Sequence, residues 1–222
     1  MTFKHKLLPQ LELEEVTTPQ GRYYKTLDGF YLPSVTTVLG RMLDKSGIKA
    51  WEERIGKEEA KKVKRIATTR GSLIHSAAEN FILNRPGYDA DLMMAENHMF
   101  QQLKPILERS VGMVMGVENP LYSKALYTAG RTDLIAEWDG TPSIIDYKTC
   151  KFEKKEEHTK SYFLQATIYA YMASTLYSIK IPQIVIVIVP VHENPVVIKK
   201  DVRDYFGEAR EIFFSHKEKY LK

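Results

Sequence analysis

The sequence predicts one α/β (α+β) domain in which a small mixed sheet is flanked by helices. Three observations carry this reading. Apolar residues recur at helical spacing before residue 110, short β-rich runs replace them after Gly112, and helical spacing returns from Tyr162. At 222 residues the chain can bury a full core yet is short enough for a single domain, 1–222. Within it 32–110 reads as a mainly helical region and 111–222 as the part carrying the sheet.

Arg22 to Tyr24 and Phe30 to Leu32 flank the turn signal Leu27-Asp28-Gly29, a hairpin. Ser34 is placed to cap a helix bearing Val35, Val38, Leu39 and Met42. Trp51 to Ala67 is helix-like but highly charged, and Gly71 precedes a separate helix with an apolar stripe through Leu73, Ile74, Ala77, Ala78, Phe81 and Ile82. Leu92 to Leu107 gives another helix. Met113–Glu118, Leu121–Tyr127, Arg131–Trp138 and Ser143–Thr149 read as a meander of four strands; Tyr162–Ile179 is a helix, Ile184–Val189 a buried strand, and Val202–Tyr220 a closing helix.

Lys and Arg total 32 against 28 Asp and Glu, a net charge of +4 that permits nucleic acid without demanding it. The single cysteine, Cys150, excludes an intramolecular disulfide, a four-cysteine zinc site and an iron–sulfur cluster. There is no GxxxxGK[ST] phosphate loop, so a helicase or other motor would be a separate chain. The amino terminus MTFKHKLLPQ lacks a signal or organellar presequence, and no apolar run could span a bilayer; a cytoplasmic location with no membrane partner is expected.

Asp133 lies in GRTDLIAEWDG, and thirteen positions later Asp146-Tyr147-Lys148 ends the apolar run Ser143-Ile144-Ile145. If Asp139 to Pro142 form a four-residue hairpin loop, Asp133 opposes Lys148, and Asp146, two residues away, shares their face. Any even loop preserves that parity; an odd one destroys it. Two carboxylates on one face suit a hard divalent cation such as Mg²⁺ or Mn²⁺, and a neighbouring ammonium can orient water or neutralise a phosphate. The same residues would also fit a surface hairpin with a cross-strand ion pair.

Their company resolves the choice. GRTDLIAEWDG, IIDYKT, and Gln165 and Tyr169 spaced as QxxxY together resemble the PD-(D/E)XK nuclease superfamily, in its RecB-type branch. LPSVTTVL, a tryptophan soon after, RGSLIH with a glutamate four later, and then Glu118 extend the likeness to the family of the mitochondrial genome maintenance exonuclease and its phage and bacterial relatives. The resemblance implies a restriction-endonuclease-like core. It implies further that Asp133 and Asp146 hold the metal, that the Tyr147 carbonyl and His75 add ligands, and that Lys148 assists the attacking water. Gln165, Tyr169 and Glu118 would stand close to the chemistry, and Glu79 would lie beside His75.

Lys57 to Arg70 carries Lys57, Lys61, Lys62, Lys64, Arg65 and Arg70 against Glu58 and Glu59, six minus two or +4. This run leads straight into RGSLIH, so it is expected to cover the site and contact backbone phosphates, with Ser72, Arg131 and Thr149 as further DNA contacts and Trp51 able to stack on a base. The expected activity is a metal-dependent exonuclease acting on single-stranded DNA from free ends in replication, repair or recombination, alongside a separate helicase or recombination protein. A structure-selective or duplex endonuclease and a non-catalytic DNA-binding subunit are the alternatives.

Overall fold

Among the described residues, 2–151 and 159–221 of a computed structural model, the chain forms two sheets and six helices in mixed order. The elements are β1 (Lys4–His5), β2 (Leu13–Thr18), β3 (Gly21–Thr26), β4 (Tyr31–Pro33), α1 (Val35–Met42), α2 (Ser46–Ile55), α3 (Lys57–Ile82), α4 (Met94–Ser110), β5 (Val111–Ser123), β6 (Thr128–Trp138), β7 (Thr141–Cys150), α5 (Lys160–Tyr177), β8 (Gln183–Pro190), β9 (Val196–Asp201) and α6 (Arg203–Tyr220). The large sheet runs β1-β5-β6-β7-β8-β9, and β2-β3-β4 form a separate small one.

Period-two alternation sorts the large sheet's side chains into two cores. Ile135, Ile144, Ile184, Ile186 and Ile188 pack under α1, α5 and α6, while Leu134, Ala136, Ile145, Tyr147, Val185 and Val187 pack under α3 and α4. Helices therefore cover both faces, and every residue of β8 from Ile184 onward is buried. Since β7 and β8 are parallel, the chain between them must cross over, and α5 does this.

Four expectations need correction. The helix over Trp51–Ala67 is two helices, broken at Gly56 (φ 86°), and the break expected before Gly71 is absent: α3 continues through it to Ile82. A glycine inside a helix costs about 1 kcal/mol; α3 tolerates it beside β7, where Thr149 Oγ1 would stand at an ordinary contact distance of 3.5 Å from a Cβ. Met113–Glu118 and Leu121–Ser123 belong to one strand, β5, whose bulges between Val111 and Gly116 absorb the irregularity, and Lys124–Tyr127, expected as strand, form the turn into β6. The β6–β7 loop is two residues rather than four, Asp139 and Gly140, both at positive φ (50° and 79°), as a tight hairpin turn requires. The register thus moves by two, to Trp138↔Thr141 and Leu134↔Ile145, which brings Asp146 rather than Lys148 opposite Asp133 and keeps all three on one face.

Candidate active site

β6 and β7 pair only as far as Leu134↔Ile145. From Asp133 and Asp146 onward β6 stays with β5 and β7 stays with β8, and a cavity of about 520 Å³ opens at the fork. Leaving the ladder exposes backbone groups of β7 that must find partners. Asp133 Oδ2 accepts from the Tyr147 N–H at 2.8 Å, and His75 Nε2 sits 2.9 Å from the Tyr147 carbonyl oxygen. His75 comes from α3, on the opposite face from α5, and its Nδ1 lies 3.4 Å from Asp133 Oδ1. The fork is therefore held open by the side chains that the sequence singled out.

Asp146 is buried on the α5 side of the fork. Its Oδ2 lies 2.5 Å from Lys148 Nζ, and its Oδ1 accepts from Gln165 Nε2 at 3.2 Å; Lys148 Nζ also donates to Gln165 Oε1 at 3.5 Å. Tyr169, one turn on, fills the space over Gly130, where a Cβ would fall 2.8 Å from its ring and hydroxyl. Glu118 reaches the cavity from β5 with a left-handed φ of 46°, a conformation a non-glycine residue keeps only when its surroundings enforce it. Ligand atoms of His75, Glu118 and Asp133 lie within 4.8 Å of one another, an oxygen-rich set with one imidazole that fits a divalent cation.

The electrostatics follow from burying so many charges together. Burial pushes Glu118 up to about 7, with Asp133 adding to the rise. Burial raises Asp146 to about 6 against the opposing pull of Lys148. Burial also disfavours the Asp133 carboxylate, but His75, Lys148 and the Tyr147 N–H together hold it below the usual range. For His75, burial favours the neutral ring, yet Asp133 outweighs it and lifts the imidazole to about 9. His75 and Asp133 thus form an ion pair at the fork, with protons shared among the neighbouring carboxyl groups.

A family model described as the PD-(D/E)XK nuclease superfamily matches residues 90–219, more than half of the chain. The chain belongs to the PD-(D/E)XK nuclease superfamily. Among solved structures, a crystal structure of a "Putative exonuclease" from Eubacterium rectale is similar with a TM-score of 0.47 and 14% identity, covering 70% of this chain. The match spans 66% of that protein, just under two thirds of its length. A search of curated proteins returns no match.

In this PD-(D/E)XK cavity the structure assembles His75, Glu79, Glu118, Asp133, Asp146, Lys148, Gln165 and Tyr169, together with Ser72 and Arg131. Glu79 is also 3.4 Å from Arg85. Trp51, Lys61, Lys62, Lys64, Arg65, Arg70 and Thr149 are not among the lining residues. Of α3, the lining includes only the later part, from Gly71 on, and Lys64 pairs with Glu52 of α2. The wall facing the fork is instead the small sheet, through Glu15, Arg22 and Tyr24, with Ser34 and Thr36 at the start of α1. Sequence reading passed over Glu15 and Arg22. Their one visible signal was the Arg22–Tyr24 strand itself, which says nothing about what it faces.

Proposed function

We propose that this protein is a metal-dependent DNA exonuclease that hydrolyses phosphodiester bonds of single strands from free ends, using Mg²⁺ or Mn²⁺. The observation that carries the reading is the convergence of Asp133, Asp146 and Lys148 with His75 and Glu118 at one fork of the sheet. His75, Glu118 and Asp133 would hold the cation, with Asp146 and the Tyr147 carbonyl able to join once Lys148 and His75 release them. A cation bound there lowers the pKa of a coordinated water and neutralises charge building on the phosphate. Lys148 then offers its ammonium to the water or the phosphate, and Gln165 fixes both Lys148 and Asp146. Water would attack phosphorus and give up one proton to solvent, the bond to the leaving sugar oxygen would break, and that oxygen would take a proton from solvent.

The cavity, about 520 Å³, is large enough to take a nucleotide unit at the fork. We further propose that 1–222 acts as one unit, in a cytoplasmic setting beside a separate helicase or recombination protein. Linear and circular single strands, each incubated with Mg²⁺ and with chelator, test the assignment. Metal-dependent loss of linear strands alone is expected. Cutting of circles would make it an endonuclease, and binding without cutting a non-catalytic subunit.

A further inference from the structure

We propose that the small sheet carries a receptor for a second, non-scissile phosphate of the strand, built from Arg22, Tyr24 and Arg131 and filled by Glu15 in the unliganded protein. The proposal rests on the nucleic-acid reading above.

Glu15 and Tyr24 are direct cross-strand partners in the β2–β3 ladder, and Arg22, two residues before Tyr24, points to the same face. That face looks into the cavity, across from Asp133 and Asp146. One oxygen of Glu15, Oε2, accepts from the Tyr24 hydroxyl at 3.2 Å and lies 3.7 Å from Arg22 Nη1. Arg131 lines the same cavity, close enough for its charge to act on Tyr24. A guanidinium and a phenol converging on one anionic oxygen, with a second guanidinium nearby, is the donor set that a phosphate oxygen requires.

The ordinary alternative is a cross-strand ion pair that merely stiffens the hairpin. Two features favour the receptor. First, the opposite wall carries four carboxyl groups, Glu79, Glu118, Asp133 and Asp146, against the two basic side chains His75 and Lys148, which are already paired with Asp133 and Asp146, so a polyanion entering the cavity finds little unpaired positive charge on that side and needs it on the other. Second, the parts differ in exposure as an exchange site demands. Tyr24 is 2% exposed, whereas the side chains of Arg22 and Glu15 are 46% and 41% exposed, and an ion pair so open to water is easily exchanged. Glu15 then acts as a stand-in anion that the strand displaces.

The test uses the full chain and a fluorescent single-stranded oligothymidylate, with binding read in an Asp146→Asn background and turnover read in the otherwise unaltered protein. Glu15→Gln removes the competing charge and should tighten binding about threefold, the scale of a weak exposed ion pair, lowering KM with kcat unchanged. Arg22→Gln should weaken binding about tenfold and reduce the salt slope by about one. Glu15→Gln added to Arg22→Gln should give no gain, because the anion it competes with has lost its partner. Melting temperatures of the variants confirm that the fold is retained. Oligonucleotides with and without terminal phosphates separate the two sources of the anion: a gain confined to phosphorylated ends places a strand terminus in the receptor, and equal gains place an internal phosphodiester there. Unchanged affinity and slope in Arg22→Gln, while the parent still binds and cuts, would overturn the receptor alone. A parent that neither binds nor cuts any strand would overturn the nuclease reading and the receptor with it.

Discussion

On the fork wall, the side chains of Asp146 and Lys148 are 2% and 21% exposed and lie 2.5 Å apart, whereas on the small-sheet wall Arg22 and Glu15 stay nearly half exposed at 3.7 Å. The same types of charge are thus built in two ways within one cavity. Bond hydrolysis needs charges fixed before the substrate arrives, so that no reorganisation is required at the transition state. Strand binding needs charges that exchange partners as phosphates pass. Asp146 and Lys148 also lie within the residues that match the superfamily, 90–219, and Glu15 and Arg22 outside them.

If that contrast is right, the largest effect belongs to the buried wall. Asp146→Asn should abolish cleavage while strand binding survives or tightens, because it removes a carboxylate from the cation's surroundings together with a source of phosphate repulsion. Measured turnover within a few-fold of the parent would show that Asp146 only anchors Lys148. Lys148→Ala should lower kcat by roughly a hundredfold, the usual cost of a positioned electrostatic or acid–base group, with little change in the Mg²⁺ concentration needed for half-maximal activity. Equal activity would make Lys148 a structural partner of Asp146.

A smaller effect separates the metal-free fork from the loaded one. His75 has its pKa raised to about 9 in the folded protein, so its contribution to stability is complete below its unfolded value of 6.5 and is lost as pH rises through 9. Glu118 at about 7 and Asp146 at about 6 are also raised, and they favour the folded state when protonated, so their contributions fade as pH climbs to neutrality. Asp133, being lowered, has the opposite sign and matters only as pH falls through the usual carboxylate range and below. With chelator, the melting temperature should therefore decline from about pH 6 to 9. Mg²⁺ should restore it by an increment that grows with pH, because protons and cation compete for the same groups. A metal increment independent of pH would mean the cation binds elsewhere.

The buried wall was legible in the sequence and the open wall was not, for a physical reason. Asp133, Asp146 and Lys148 obey a period of two across a hairpin, and any even loop keeps them on one face, so misjudging Asp139–Pro142 as the loop moved the register without dispersing the site. β2 has no apolar period and no buried residue, its half-buried and exposed positions following no strict alternation, and so it left no trace as a strand. The facing of Glu15 and Arg22 toward Asp133 depends on how two sheets pack more than a hundred residues apart. No local pattern records that. The reach of α3 was obscured in a similar way, because Gly71 looks like a helix boundary in one dimension, whereas packing of α3 against the sheet carries the helix through it.

The smallest effect expected concerns the basic part of α3, which belongs to neither wall. At 1.5 Å per residue, Lys61 lies about 21 Å along the helix from His75, so Lys61, Lys62, Lys64 and Arg65 stand outside the cavity and are exposed to solvent. Phosphates that have already left the fork, or have not yet reached it, are the only ones these side chains can meet. Their contribution should then depend on strand length. Neutralising all four should leave the affinity for a dinucleotide unchanged, since it fills only the cavity, but weaken a long oligonucleotide and flatten its salt dependence through the counterions no longer released. Cleavage at saturating DNA should be untouched, because none of the four approaches Asp133 or Asp146. Binding titrations against strand length at two salt concentrations make the measurement. Equal losses for dinucleotide and long strand would mean that this part of α3 folds over the cavity after all, and no loss for either would leave it a solvated helix whose charge serves only solubility.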